Sequence, residues 1–262
     1  MKLKLITAIT LLTISLLVFS QTEAPVNQTD ARGRKQGHWI MRYPDHTVLY
    51  DGFFKDDHPV GEFRRFYEDG SIKSMLKFSN DGHEAFATLY YSNGNVASRG
   101  KYVNQKKEGK WQFYSESFKD YLISDDTYSN DMLNGVSKRF YPDSTVAEKV
   151  NYVNGIKQGE WTKYYPEGSL LLRSNYLNGM IDGKFETWFE NGRVQFSGQY
   201  KNDSRDGPWI IYNEDGTVKY RIEYTYGTTR DRQMDIDESA ALDKMLKNKD
   251  NISDPEKTGM PK

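Results

Sequence analysis

Hydrophobic positions along the chain follow two regimes. Leu5 to Phe19 form one apolar run, interrupted only by Thr7, Thr10, Thr13 and Ser15. From about residue 37 no run of that kind returns, and apolar residues alternate with polar ones in short stretches punctuated by glycine. Aligning Gly37, Gly61, Gly109, Gly135, Gly159, Gly183 and Gly207, with Ala85 where one glycine is missing, gives successive spacings of 24, 24, 24, 26, 24, 24 and 24. A fixed period of this length marks a repeat architecture. Eight units tile residues 37–230.

Each unit reads as a β-hairpin. Two residues after its start stand Trp39, Phe63, Ala87, Trp111, Ser137, Trp161, Phe185 and Trp209. Offsets five and six carry aromatic pairs such as Phe66-Tyr67, Tyr90-Tyr91, Phe140-Tyr141, Tyr164-Tyr165 and Trp188-Phe189. A turn dipeptide follows (Asp69-Gly70, Asn93-Gly94, Asn191-Gly192), which matches the positive φ of a type I′ turn. Offset eleven is β-branched or Leu, and offset seventeen is aromatic: Phe54, Phe78, Tyr102, Tyr152, Tyr176, Tyr200 and Tyr224. Offsets 11, 13, 15 and 17 share a parity and hence a strand face. Glycine at offset fifteen (Gly52, Gly100, Gly198) leaves room for a neighbouring ring over the backbone. The fourth unit reaches Tyr128 two residues late, which places an insertion within 115–126 and lengthens its first turn. Ala87 and Ser137 interrupt the ring column and predict a local weak point or bend. A single unit has too little to bury to fold alone, so the units must stack. Sixteen strands spaced ~4.8 Å apart predict a ribbon about 75 Å long.

Tyr50-Asp-Gly52-Phe-Phe54 running into Gly61-Glu-Phe63, and Gly198-Gln-Tyr200 running into Gly207-Pro-Trp209, resemble MORN repeats. Gly159-Glu-Trp161-Thr-Lys-Tyr164-Tyr165-Pro-Glu-Gly168, followed by Asn175-Tyr176-Leu-Asn-Gly179, is similar to the bacterial MORN-repeat variant, often labelled the antitoxin component of a toxin–antitoxin module. The resemblance covers about three quarters of the chain. It implies an all-β, elongated single-layer antiparallel sheet of repeated hairpins, used for protein or lipid contacts and without catalytic residues of its own.

The flanks behave differently. Lys2 and Lys4, the short apolar run and the small-residue exit at Ser20-Gln21 predict a secretory signal peptide over 1–20, cleaved after Ser20. The mature chain is then expected to be secreted or periplasmic, with no membrane span, and cleavage lowers the formal charge from −1 to −3 by removing two lysines. Residues 21–36 read as a polar linker. In 231–262, acidic-first and lysine-last ordering predicts a short α-helix around Asp237–Lys247, either covering the open edge of the last hairpin or solvated. Asn251–Lys262 reads as disordered.

Composition narrows the chemistry. There is no cysteine, so disulfides, thiolate nucleophiles, Cys-ligated zinc, iron–sulfur clusters and an acylated lipoprotein cysteine are all excluded. Near-neutral charge, with 36 Lys+Arg against 37 Asp+Glu, supplies no basic face for nucleic acid. His38, His46, His58 and His83 cluster early, but His58 and His83 are two strands, roughly 9–10 Å, apart. Zinc ligands must each lie about 2.1 Å from the ion, so no metal or other cofactor is expected. No nucleophile–base pattern or phosphate loop stands out, and turn acids such as Asp45, Asp69, Asp143 and Asp215 are explained by local hydrogen bonding. Trp39, Phe63, Trp111, Trp161, Phe185, Trp209, Tyr102, Tyr152, Tyr176, Tyr200 and Tyr224 are expected to pack repeat on repeat. Tyr67, Tyr91, Tyr141, Tyr165 and Phe189 are the candidate interaction surface. Two function classes stay open. One is a non-enzymatic scaffold binding a partner protein or another copy of itself. The other is a module stacking aromatic rings on envelope glycan. An antitoxin-like neutraliser of an exported partner is a third.

Overall fold

The computed structural model describes residues 25–79 and 81–247. They form one antiparallel sheet whose strands pair with their sequence neighbours in chain order, followed by one α-helix, Arg232–Lys247. All eight predicted hairpins are present among these residues. The first pairs Lys35–Arg42 with Val48–Lys55, and the last pairs Ser204–Tyr212 with Val218–Tyr224. The stretch read as a polar linker is structured at its end. Gln28–Thr29 pairs with Lys35 and Gln36, and the Asn27 side chain bonds both the N–H and the C=O of Ile40. This closes part of an edge that would otherwise offer free backbone groups.

Two turn types alternate, and they are reversed from the sequence expectation. The Asp-Gly and Asn-Gly turns inside each hairpin are not type I′. At Tyr67–Ser71, Gly70 N–H donates to Tyr67 O, and only Gly70 (φ 83°) is left-handed. That is a type I turn closed by a glycine bulge, and Asp69 Oδ1 fixes it by accepting from Ser71 N and Oγ. Type I′ geometry sits between hairpins, where both loop residues have positive φ: Asp56-Asp57, Asn104-Gln105, Asn130-Asp131, Asn154-Gly155, Asn178-Gly179 and Asn202-Asp203. Asn and Asp visit this region more readily than other non-glycine residues.

The repeat-start glycine has its own reason. Gly159 (φ 80°) lies inside the strand Ile156–Tyr164, where the register against Val146–Val153 slips between Val150↔Trp161 and Tyr152↔Lys157. It is a bulge residue in a conformation that suits glycine. Ala85 tests this rule within the chain. The pairing of Ile72–Phe78 with Glu84–Tyr90 shows no slip, and the positive φ falls instead on Gly82 (73°), whose N–H donates to Ser79 O before the strand begins.

The bulges and strict alternation sort the side chains onto two faces. In Leu170–Leu177, Leu172, Ser174 and Tyr176 are buried while Arg173, Asn175 and Leu177 are exposed. Offsets two, four, thirteen, fifteen and seventeen form the aromatic face. The opposite face is largely charged. The paired aromatics divide between the faces. Offset five meets offset fourteen on the charged face, as in Arg99 over Tyr114 and Arg173 over Trp188. Offset six lies on the aromatic side.

On the aromatic face, rings meet mainly edge-to-face, a favoured geometry. Tyr102–Trp111 (4.7 Å), Phe185–Tyr200 (5.1 Å) and Tyr200–Trp209 (5.2 Å) are the tightest such pairs. From the second unit on, each offset-two side chain faces the strand before it, and three of the rings lie over a glycine there. Phe63 lies over Gly52, Trp111 over Gly100 and Trp209 over Gly198. Where the ring is missing, Ala87 faces Leu76, and Ser137 bonds Asp126 (2.6 Å), which Arg139 also holds (2.7 Å). Both expected weak points are therefore filled from the strand across.

The hydrophobic core concentrates in the second half of the sheet, where Trp161, Leu172, Phe185, Phe196, Trp209 and Ile222 are each at most 2% exposed. The helix begins five residues before the predicted Asp237 and is docked, not solvated: Leu242 is 1% exposed within this cluster. Asp235 accepts from Arg205, Tyr224 and Ser239. Burial disfavours the Asp235 anion, but these donors outweigh it and hold its pKa below the ordinary value. Burial, and then the hydrogen bond to Asp235, push the Tyr224 phenol up to about 12. The predicted signal peptide and the tail 251–262 lie outside the described residues.

Candidate functional site: a cleft on the aromatic face

The aromatic face is packed in the last hairpins and open in the earlier ones. A cleft of about 800 Å³ lies between Phe54 and Asp131. Comparison at equal repeat positions explains it. Offset thirteen is Leu172 and Phe196 in the sixth and seventh units but Ser74 and Ser98 in the second and third, and in the fourth the two-residue insertion brings Ser124 to the equivalent place. Ser74 and Ser98 face Leu89 from the strands on either side of it, and these small residues leave space that the neighbouring rings do not fill. Such a volume is typical of ligand sites.

Phe54, Phe63, Leu76, Phe78, Leu89 and Tyr102 supply the apolar walls. The floor is polar. Ser74 and Ser98 are 3% and 0% exposed, and their hydroxyls have no hydrogen-bond partner among the described residues. Arg65 stands across the strand from Ser74, and Lys73, next to Ser74, extends over the Tyr67 ring (5.2 Å). Burial, and secondarily the nearby Arg65 charge, lower the Lys73 pKa. At the far end Lys107, 7% exposed, lies over Trp111, Phe113 and Tyr128 at 4.8–5.4 Å. Glu116 and Asp131 complete the lining, and Asp131 Oδ1 accepts from Lys107 N–H.

Of the candidate interaction residues, Tyr67 and Tyr91 line this cleft. The structure does not gather Tyr141, Tyr165 and Phe189 with them; these lie along later hairpins. The hydroxyls of this column bond the chain itself. Tyr67 donates to Tyr90 O, Tyr91 to Tyr114 O, Tyr141 to Tyr164 O and Tyr165 to Trp188 O, at 2.7–3.1 Å. Each clasps one hairpin to the next, and burial raises the pKa of Tyr67, Tyr141 and Tyr165. In the fourth unit Ser115 occupies this position, and the inserted turn supplies the clasp instead: Tyr121 donates to Phe140 O (2.8 Å).

The expected packing rings fulfil that role unevenly. Trp111, Trp161, Phe185 and Trp209 are at most 2% exposed, and Tyr176, Tyr200 and Tyr224 are buried with them. Trp39, Phe63, Tyr102 and Tyr152 are half-buried. Sequence reasoning missed Arg65, Lys73, Ser74 and Ser98. Serine at offset thirteen in two successive units, and at the insertion-shifted Ser124 of the next, was the available signal. His58 and His83 come nearer than strand spacing alone implies, 6.1 Å between ring centroids, because their side chains lean together. No group of three or more metal-ligating residues converges among the described residues.

Comparison with known proteins agrees with the repeat. The MORN repeat variant pattern matches residues 59–80, 87–104, 133–154, 157–178, 181–202 and 205–226. The hairpins starting at Gly37 and Gly109 fall outside the matched stretches yet share the fold. No curated protein matches the chain. Among solved structures, TarM is similar over 37% of this chain and 19% of its own, at 14% identity and TM-score 0.28. A mutant of the S. aureus protein with Fondaparinux, alpha-GlcNAc-glycerol and UDP is similar at 13% identity, with the same coverage and TM-score. The chain thus spans about a fifth of TarM, and a likeness this slight carries no argument. Six matched repeats, each spanning one hairpin of the sheet, do: the chain carries repeats of the MORN repeat variant.

Proposed function

We propose that the chain is an exported, non-enzymatic scaffold that binds a partner protein along its aromatic face, with the cleft between Phe54 and Asp131 as the seat. The observation carrying this reading is the asymmetry of that face. The later hairpins fill it with Leu172, Phe196, Ile211 and the helix's Leu242, whereas Ser74 and Ser98 leave the earlier ones open. Exposed concave apolar surface of this kind usually marks an interaction site. The leader-like N-terminus supports export. Glycan stacking is less well served, because a sugar needs an open ring face. Here ring faces are covered by cations, as Lys107 covers Trp111, or by neighbouring rings. An antitoxin-like role is a special case in which the partner is an exported toxin.

The test places a photo-crosslinking amino acid at Leu89 in the cleft or at Lys149 on the charged face, in the exported protein in its native cells. A discrete protein adduct from position 89, absent from position 149 and unaffected by excess soluble glycan, is expected. Adducts from 149 alone, or loss of the adduct to glycan, would refute the reading.

A further inference from the structure

Resting on that proposed function, we infer that the cleft accepts an acidic, apolar-rich segment of the partner, with a carboxylate seated between Arg65 and Lys73. Three features of the site point to this chemistry. First, two cations stand together with no carboxylate in ion-pair distance of either among the described residues. Arg65 faces Ser74 across the strands, Lys73 is the adjacent bulge residue, and the Lys73 ammonium lies over the Tyr67 ring. Three other cations of the sheet each have a carboxylate of the chain: Arg139 has Asp126, Lys101 has Glu84 and Arg205 has Asp235. An ammonium drawn partly out of water beside a guanidinium is stabilised by an anion that the chain does not supply.

Second, the cleft floor holds unspent polar capacity. The buried Ser74 and Ser98 hydroxyls have no hydrogen-bond partner among the described residues. A buried hydroxyl left without a partner costs free energy, and an incoming carboxylate or peptide group would satisfy it.

Third, the chain shows what its aromatic face accepts. At the last hairpin that face carries the helix Arg232–Lys247, anchored among its described side chains by the buried Leu242 and by the Asp235 carboxylate on Arg205 and Tyr224. Arg65, with the apolar walls around Leu76 and Leu89, offers the same pairing of a cation and an apolar seat. A membrane surface is too flat to enter a cleft. A polyanion would meet Glu116 and Asp131 at its ends, whereas a single carboxylate among apolar side chains would not.

The experiment uses the mature full-length protein and two labelled amphipathic peptides, each of 16 residues like the C-terminal helix. One is built of Leu and Glu; the other has every Glu replaced by Gln. Fluorescence anisotropy is expected to show the Glu peptide binding about tenfold tighter, as befits a charge-assisted contact. The double variant Arg65→Gln/Lys73→Gln should erase that preference while retaining its far-UV circular dichroism. Leu89→Trp, which fills the cleft, should weaken both peptides. Equal binding of the two peptides to the wild type would overturn the carboxylate assignment and leave the cleft as an apolar docking seat. Binding of neither would overturn the proposed function as well.

Discussion

Size complementarity across neighbouring strands predicts that the two members of a pair can be exchanged only together. Gly100 is the sharpest case. A Cβ added there would lie 2.2–2.5 Å from Trp111 Cδ2, Cε2 and Cγ, against an ordinary carbon–carbon contact of about 3.5–4.0 Å. The indole would have to lift by more than about 1 Å, losing its 3.0 Å hydrogen bond to Lys101 O and its contact with Tyr102. Overpacking of about 1–3 kcal/mol plus a hydrogen bond of about 1 kcal/mol gives a loss of about 2–4 kcal/mol for Gly100→Ala. Trp111→Ala empties a site that is 0% exposed and should cost about 3–5 kcal/mol. The double variant Gly100→Leu/Trp111→Ala recreates the natural pair Leu76–Ala87 one unit away. Burying the new leucine recovers about 1.5–3 kcal/mol, so the double variant should be about 2 kcal/mol more stable than Trp111→Ala alone. Urea titration followed by far-UV circular dichroism reads all four corners of the cycle. A double variant no more stable than Trp111→Ala would refute the compensation argument.

Three further outcomes follow from other parts of the sheet. Gly159→Ala should lower stability by about 1–2 kcal/mol through its left-handed backbone alone, because the new methyl meets nothing within 4 Å; Ala85→Gly should change the urea midpoint far less. Tyr165→Phe removes the clasp to Trp188 O and should cost about 1 kcal/mol, readable as faster amide exchange in the two hairpins it joins. Helix docking should fail at both ends of the pH scale. The depressed Asp235 pKa makes its contribution full above the ordinary carboxylate range and lost as pH falls through the folded value. The raised Tyr224 pKa makes its contribution full below about 10 and lost as pH rises through about 12. Limited proteolysis within 232–247 across pH is the readout, and flat susceptibility would count against the Asp235–Tyr224–Arg205 anchor.

Much of the architecture is determined by local chemistry and so was legible in the amino-acid order alone. The 24-residue period, hairpin units, strand alternation, glycines beneath rings and the inserted turn near Tyr121 all depend on residues close in sequence or one unit apart. Tertiary structure decided the rest. The turn dipeptides contain the same Asn, Asp and Gly in both turn classes, so only strand register shows which is type I′ and which carries the bulge. The Tyr67, Tyr91, Tyr141 and Tyr165 column looks like an exposed platform by composition, yet each hydroxyl reaches a carbonyl 23 residues on. Asn27 and the C-terminal helix lie outside the repeat, and their docking depends on Ile40 and Arg205, distant in the chain. The cleft is the clearest instance. Ser74 and Ser98 are unremarkable singly, and become a site only when pairing sets them on either side of Leu89, because empty space belongs to no one residue.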